Sequence, residues 1–212
     1  MLTVNEIFYS IQGEGTRAGR PSVFVRLTGC PLRCVWCDTD YAFHQGTRRD
    51  LDEIVAEVEG HPSRLLCLTG GEPLAQPAAF SLVRRLLDDG WEVVVETSGH
   101  VSVEGLDPRA VAVVDIKAPG SGEADRMDWE NLGRLRKKDE VKLVLGGRED
   151  YEWARDLVRE RALAERCTVL FAAVHGQLEP GVLARWVLED ALPVRVQVQL
   201  HKILWPEMER GV

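Results

Sequence analysis

Three of the five cysteines stand close together in the sequence. They are the first, fifth and last residues of the segment 30–37, Cys-Pro-Leu-Arg-Cys-Val-Trp-Cys, called the cysteine loop below. Three thiolates can hold three corners of a four-iron, four-sulfur cluster, which leaves one iron open to another ligand. The spacing also suits zinc, with Cys67, Cys167 or His44 as the fourth ligand. Cys67 and Cys167 otherwise stand alone in apolar runs, as small buried side chains do.

Four motifs, the cysteine loop among them, each follow a predicted strand. Parallel α/β folds carry their chemistry at the carboxyl ends of strands, so motifs in this position predict one shared site. The cysteine loop follows strand 22–27. The other three motifs are GGEP at 70–73 after strand 65–69, TSG at 97–99 after strand 92–96, and DIK at 115–117 at the end of strand 111–115.

The elements that position these motifs alternate along the chain. From about Leu51 onward, short β-branched runs alternate with helix-period segments, which indicates a mostly parallel sheet covered by helices. Further strands are predicted at 140–145, 168–172 and 194–200. Helices are predicted after the Asp50 capping box, from Pro77 to Gly90, and around 129–136, 151–163 and 181–188.

The fold class that follows is α/β, a partial, incomplete TIM-like barrel of about six or seven strands. No repeat or linker divides the chain, so residues 1–212 are expected to form a single domain.

The composition excludes several classes of function. The 212 residues include 26 Lys+Arg against 34 Asp+Glu, a net charge of −8, and are 45% hydrophobic, which is typical of a globular protein and not of a disordered one. An acidic chain is a poor phosphate-binding surface, so no direct nucleic-acid partner is expected. Because no apolar run approaches the roughly 20 residues of a membrane helix and no signal segment is visible, we expect no membrane contact and a cytoplasmic location.

The cysteine loop and GGEP motif together resemble the radical S-adenosylmethionine (SAM) superfamily, in which a CxxxCxxC loop follows the first barrel strand and a GGE segment follows the second. A narrower resemblance, to the family of 7-carboxy-7-deazaguanine synthases, covers nearly the whole chain. The motifs that carry it are FYSIQGEG at 8–15, GRP at 19–21, FVR at 24–26, CDTD at 37–40, TGGEP at 69–73, ETSG at 96–99, DIK at 115–117 and QLHK at 199–202.

The resemblance implies a radical SAM core with one four-iron, four-sulfur cluster per subunit, held by Cys30, Cys34 and Cys37, with SAM on the open iron. It implies a Mg²⁺ ligand at Thr39, and oxygen donors do suit Mg²⁺. The SAM contacts it implies are Trp36, Cys37, Asp38, Gly71, Thr97, Ser98, Asp115, Ile116 and Lys117. The substrate contacts it implies are Ile11, Gln12, Gly13, Glu14, Arg26, Thr69, Glu96 and His201.

Several of these residues also have a plain structural interpretation when taken singly. The QGEG and DT segments read as turns, and Arg26 and Glu96 as exposed alternate strand positions. Asp115 and Lys117 read as a surface ion pair, and His201 as a core or edge histidine.

The activity that the resemblance implies is a carbon–nitrogen lyase reaction on the route to queuosine and related modified tRNA bases. 6-Carboxy-5,6,7,8-tetrahydropterin becomes 7-carboxy-7-deazaguanine with loss of ammonia, after a deoxyadenosyl radical removes a hydrogen atom that is later returned. The cofactors carry this chemistry, so no side chain is assigned as catalytic. A homodimer and a flavodoxin-type electron donor are also implied.

Two other functions fit part of the pattern. A glycyl-radical activating enzyme would keep SAM and act on a protein loop, and the segment 12–15 with Arg26 argues against it. A zinc-stabilised binding module would leave the strand-end motifs without a purpose.

Two segments depart from the family pattern. Residues 171–176 read FAAVHG, where relatives bind SAM again through Gln-Pro and an acidic residue. Some relatives end soon after the His-Lys motif and use the terminal carboxylate at the substrate, whereas this chain continues to Val212. Neither contact is carried over to this chain.

Overall fold

Nine β-strands form one continuous sheet in the computed structural model, which describes residues 1–212. The spatial order is β3-β1-β2-β4-β5-β6-β7-β8-β9, where the strands are β1 (Leu2–Ile11), β2 (Pro21–Leu27), β3 (Thr47–Arg49), β4 (Leu65–Gly70), β5 (Glu92–Thr97), β6 (Val111–Lys117), β7 (Glu140–Leu145), β8 (Thr168–Ala173) and β9 (Arg195–Gln197). The run from β2 to β9 is parallel, and β1 pairs antiparallel with both β2 and β3. Because β3 and β9 remain unpaired edges, the barrel is incomplete, as predicted.

Helices follow most of the parallel strands. They are α1 (Leu51–Glu59), α2 (Ala78–Asp88), α3 (Asn131–Arg134), α4 (Arg148–Glu160), α5 (Leu163–Arg166), α6 (Pro180–Glu189) and α7 (Leu200–Leu204). The predicted capping box is present, with Asp50 bonded to the backbone of Glu53 and the Glu53 side chain bonded back to Asp50. None of the helices combines the length and the apolar character needed to cross a membrane.

The two faces of the sheet differ in chemistry because side chains alternate along each strand. The outer face packs against the helices in a cluster of 41 buried apolar residues. On β6, Val114 and Ile116 belong to this cluster, whereas Val113, Asp115 and Lys117 lie on the opposite, inner face. The inner face is therefore where polar side chains accumulate.

The predicted elements agree with the structure apart from three details. The α/β fold and all seven predicted strands are confirmed, but β1 and β3 were not predicted. The last strand was expected to reach Leu200 and ends at Gln197, because Leu200 N–H donates to the Gly13 carbonyl and α7 begins there. The helix predicted at 129–136 is only the single turn α3.

Candidate active site

The inner face of the sheet lines a cavity of about 460 Å³ at the carboxyl ends of the parallel strands. This volume falls in the range of small-molecule sites. The cavity brings together the strand-end motifs, the loop after β1 and the QLHK segment. The predicted site residues on its wall are Ile11, Gln12, Gly13, Glu14, Arg26, Cys30, Cys34, Trp36, Cys37, Asp38, Thr39, Thr69, Gly71, Glu96, Thr97, Ser98, Asp115, Lys117 and His201.

Ile116 is the predicted site residue whose side chain does not reach the cavity. It is 3% exposed and packs in the apolar core, because it alternates with Asp115 and Lys117 along β6. A contact between Ile116 and a ligand would have to come from its backbone.

The three clustered cysteines are free, half-buried and on the cavity wall. Burial raises the pKa of the Cys30 and Cys34 thiols. Since metal ligation requires thiolates, binding of a metal centre has to displace the protons of these thiols. No three Cys, His, Asp or Glu side chains converge on the position of a single metal ion. The three thiols line one cavity, and three cysteine ligands are the set expected for a four-iron, four-sulfur cluster with one open iron.

The zinc interpretation needs a fourth ligand beside the cysteine loop. Cys67 and Cys167 are buried, and neither they nor His44 are on the cavity wall. Burial also raises the pKa of Cys167 to about 11, so this thiol stays neutral. The structure therefore supplies none of the fourth ligands that the zinc interpretation proposed.

The GGEP motif packs directly against the start of the cysteine loop. Gly71 N–H donates to the Leu27 carbonyl at 3.1 Å, and Glu72 N–H donates to the Gly29 carbonyl at 2.8 Å. A Cβ atom at Gly71 would lie 2.3 Å from the Gly29 carbonyl oxygen and 2.8 Å from the Cys30 Cβ. Only glycine allows this close approach, which couples the position of GGEP to that of Cys30.

Replacing Gly71 by alanine is expected to displace the cysteine loop, because the added methyl group meets backbone atoms that cannot rotate away. We expect less iron per chain after reconstitution and SAM affinity reduced by about tenfold or more, since misplaced ligating groups lose most of their binding energy. Iron analysis and equilibrium dialysis measure the two effects. Gly133→Ala is the matched control because nothing lies within 4 Å of its added Cβ. Equal iron and SAM binding in the two variants would contradict the prediction.

Glu72 is a fully buried carboxylate that the sequence did not single out as a site residue. Its oxygens accept hydrogen bonds from Leu74 N–H at 2.9 Å, Thr97 Oγ1 at 2.8 Å and Ser98 N–H at 2.7 Å. One side chain thus ties the GGEP turn to the TSG turn, and both turns face the cavity.

A second part of the cavity wall carries paired donors and acceptors. The Thr69 hydroxyl donates to Glu96 Oε2 at 2.9 Å, and Gln12 Nε2 donates to Glu96 Oε1 at 3.4 Å. Gln12 and Thr69 are buried, and all three residues lie on the inner face. This arrangement presents a carboxylate, an amide and a hydroxyl to one side of a ligand.

Arg26 lies beside this group and keeps part of its guanidinium free. Its Nε donates to Glu6 Oε1 at 2.7 Å, and the guanidinium lies 5.7 Å from the Phe8 ring centre and 5.8 Å from the Tyr41 ring centre. The two terminal nitrogens have no hydrogen-bond partner in the chain, so they remain available to an anion in the cavity.

The Glu14 side chain is already engaged within the protein. Glu14 Oε2 accepts from Lys142 Nζ at 2.9 Å and Gln197 Nε2 at 3.2 Å, and Oε1 accepts from Gln199 Nε2 at 3.0 Å. Burial raises the pKa of Glu14, but Lys142 and Gln199 lower it more, so the carboxyl is ionised. These hydrogen bonds fix the loop after β1.

His201 lies on α7 against that same loop. A Cβ atom at Gly13 would come 2.4 Å from His201 Nδ1, so the ring sits directly on this glycine. Burial lowers the pKa of His201, which makes the neutral ring the main form at pH 7. The prediction that the QLHK segment meets the QGEG segment at one site agrees with this packing.

Several cavity residues were missed from the sequence, among them Lys142, Gln199 and Lys202. The sequence marks them only weakly, because lysine is scarce in the chain, Lys142 lies in a predicted strand and Lys202 follows another. The two segments that depart from the family pattern also reach the cavity, through Val174, His175, Met208, Glu209 and Val212.

Residues 24–116 match the profile of the radical SAM superfamily. The 7-carboxy-7-deazaguanine synthase of Chlorobaculum tepidum is 43% identical over 214 residues, which cover 100% of this chain and 97% of that protein. The chain belongs to the 7-carboxy-7-deazaguanine synthase family. The family member from Koribacter versatilis is 40% identical over 226 residues, with 100% of both chains covered.

A solved structure supports the same family assignment. The crystal structure of QueE from Escherichia coli matches with a TM-score of 0.77 and 25% identity, covering 94% of both chains. As a member of the 7-carboxy-7-deazaguanine synthase family, the chain is a radical SAM enzyme, and the predicted four-iron, four-sulfur cluster and SAM are the cofactors of that superfamily. The predicted enzyme class is confirmed.

Proposed function

We propose that this protein converts 6-carboxy-5,6,7,8-tetrahydropterin to 7-carboxy-7-deazaguanine and ammonia, acting as a single radical SAM domain over residues 1–212. The observation that supports this substrate best is the cavity wall next to the cysteine loop. Gln12, Thr69 and Glu96 present donors and acceptors together, and Arg26 stands beside them. A pterin edge needs such a mixed set, and its carboxylate needs a cation.

The cofactors have a matching set of residues in the cavity. Cys30, Cys34 and Cys37 would hold the iron–sulfur cluster. SAM would lie between the GGEP turn, the TSG turn and the pair Asp115 and Lys117, whose Oδ2 and Nζ atoms are 3.0 Å apart. When bound, these groups supply a radical that removes a hydrogen atom from the substrate and returns it.

The protein's own residues position the pterin and limit the access of water to the cavity. Glu96 accepts from the pterin N–H groups, and Gln12 supplies both a donor and an acceptor. The apolar side chains of Phe24, Leu32 and Val113 cover other parts of the wall, which keeps solvent from a reactive intermediate. The ring contraction loses nitrogen as ammonia, so atoms balance without an external oxidant.

Thr39 is proposed as a ligand of Mg²⁺ beside the substrate carboxylate. It lies on the cavity wall, and its hydroxyl donates to Asp38 Oδ1 at 3.2 Å. Mg²⁺ takes oxygen ligands and keeps several waters, so one hydroxyl and a substrate carboxylate are a suitable pair. Loss of product formation when Mg²⁺ is omitted from the assay below, and its recovery when Mg²⁺ is added back, test the requirement for this ion.

The experiment that tests the function is an anaerobic assay of the reconstituted protein with reductant, SAM, Mg²⁺ and 6-carboxy-5,6,7,8-tetrahydropterin. Mass spectrometry should show 7-carboxy-7-deazaguanine formed with one equivalent of ammonia. Cleavage of SAM with the pterin untouched would overturn the substrate and favour action on a protein loop. Bound zinc without any iron–sulfur cluster would overturn the reaction type as well.

Replacing Arg26 by lysine is expected to raise the KM for the pterin by about 10- to 100-fold, because a charge-assisted hydrogen bond contributes about 1.5–3 kcal/mol and lysine lacks the planar fork. SAM binding should stay unchanged. The matched control is Arg20→Lys, since Arg20 is half-exposed and bonds Glu92 away from the cavity. A KM equal in both variants would show that Arg26 does not bind the carboxylate.

We also propose that the enzyme works in the cytoplasm as a homodimer and receives electrons from a flavodoxin-type donor. The resemblance to 7-carboxy-7-deazaguanine synthases supports all three statements. Analytical ultracentrifugation tests the dimer, and turnover with reduced flavodoxin in place of a chemical reductant tests the donor.

A further inference from the structure

Four side chains of alternating charge form a row on the cavity wall, at the inner face of the sheet. They are Lys117, Asp115, Lys142 and Glu14. Lys117 Nζ lies 3.0 Å from Asp115 Oδ2. Lys142 Nζ lies 3.5 Å from the same oxygen and 2.9 Å from Glu14 Oε2. Lys142 is therefore the cation that joins the loop at 12–14, called the substrate loop below, to β6.

The strand register and two carboxylate partners hold Lys142 in this place. It belongs to β7, where it pairs in register with Asp115 of the neighbouring strand, so both side chains emerge on the inner face. Its side chain is 14% exposed. A charge this far from solvent is tolerated when it is paired, and Lys142 has two carboxylate partners.

The substrate loop depends on this contact. Glu14 follows Gln12 and Gly13, and its carboxylate is held by Lys142 together with Gln197 and Gln199. Without the ammonium group, the negative charges of Glu14 and Asp115 would no longer be neutralised by the cation between them. Like charges in a poorly solvated site repel strongly. Movement of Glu14 would carry Gln12 away from Glu96.

We propose that Lys142 is a positioning residue for the pterin, which acts by holding Glu14, and through it the loop at 12–14, in a fixed place relative to Asp115. The proposal rests on the proposed function, since it concerns the same cavity. It adds a residue that belongs to none of the motifs that carry the family resemblance.

The test uses the full-length reconstituted protein and the Lys142→Met variant. Methionine keeps an unbranched side chain of nearly the same length and removes the charge. We expect the KM for the pterin to rise about tenfold while kcat falls less, because a displaced binding loop weakens substrate positioning. Equilibrium dialysis of the pterin should show the same loss without turnover. Lys142→Arg should restore most of the affinity, and Lys137→Met, an exposed lysine that bonds only the Glu165 carbonyl, is the matched control.

A double-mutant cycle then shows whether Lys142 acts through Glu14. The KM of the Glu14→Gln, Lys142→Met double variant should equal that of the worse single variant, because residues that act as one unit are not additive. Multiplied effects would overturn the proposal. So would a pterin affinity in Lys142→Met equal to that in Lys137→Met.

Activity of the wild type and of the Lys142 variants distinguishes failure of the proposed function from failure of the role proposed for Lys142. If the wild-type protein forms no product, the proposed function fails. If the wild type is active and Lys142→Met is unaffected, only the role of Lys142 fails. Thermal unfolding checks each variant, and Lys142→Gln is a second charge-free variant with the same expected KM. Failure of both charge-free variants to fold, while Lys142→Arg folds, would assign Lys142 a structural role and overturn the proposal.

Discussion

Replacing Cys34 by alanine is expected to abolish conversion of the pterin and to lower the iron bound per chain, while the protein still folds. Cys34 is half-buried on the cavity wall, between the other two cysteines of the loop. Two thiolates cannot hold a cluster that needs three cysteine ligands, and without the cluster no radical forms. The folding cost is small, about 1 kcal/mol, since a single sulfur at the edge of the core is removed.

Cys167→Ala is the matched control for this prediction. Cys167 is 3% exposed, lies off the cavity wall, and stays a neutral thiol because burial raises its pKa to about 11. Its variant should keep the full iron content and product formation. Iron and sulfide analysis, the absorption of the reconstituted protein and product mass are the measurements. Product formation retained by Cys34→Ala, or lost equally in both variants, would contradict the assigned role of the cysteine loop.

The parallel strands could be predicted because burial on both sides leaves a plain signal in the sequence. The strands β4, β5 and β6 are runs rich in Val and Leu, bounded by Gly, Pro or polar turns. β1 carries no such run, since Asn5, Glu6 and Ser10 interrupt it. It also lies where the sheet turns antiparallel, and a strand of this kind can carry polar residues on a solvated face in place of a continuous apolar run.

The site residues could be predicted where a motif carries them. The cysteine loop, GGEP, TSG and DIK segments each have an unusual composition after a strand, and the structure places them around one cavity. Ile116 shows where a motif misleads. The DIK motif predicts all three residues as site residues, but side chains alternate along a strand, so the side chain of the middle residue points to the apolar core.

Other contacts depend on register, which the sequence does not display. Lys142 faces Asp115 because β6 and β7 pair at that position, and a shift by one residue would turn Lys142 to the outer face. Glu72 is similar, because its partners Thr97 and Ser98 come from the next strand along the sheet. Such residues become visible only when the neighbouring strands are placed.

Glu72 is the residue whose replacement is expected to affect both stability and SAM binding strongly. Replacing Glu72 by alanine is expected to lower the free energy of unfolding by about 2–4 kcal/mol and to abolish tight binding of SAM. The carboxylate is fully buried and accepts from Leu74 N–H, Thr97 Oγ1 and Ser98 N–H at 2.7–2.9 Å. Each buried donor that loses its acceptor costs about 1–3 kcal/mol, and relief from burying a charge offsets part of the sum.

Urea unfolding of the protein before reconstitution separates the stability effect from cofactor loss, and equilibrium dialysis measures SAM binding afterwards. The matched control is Glu104→Ala, since the Glu104 side chain is 79% exposed and lies 3.8 Å from Arg134. This variant should stay within about 0.5 kcal/mol of the wild type. Glu72→Gln should be intermediate, because it keeps one acceptor oxygen but turns an N–H₂ group toward groups that also donate. If Glu72→Ala matched Glu104→Ala in both measurements, the Glu72 carboxylate would not be what joins the GGEP and TSG turns. The GGEP turn would then be held by the backbone hydrogen bonds from Gly71 to Leu27 and from Glu72 to Gly29.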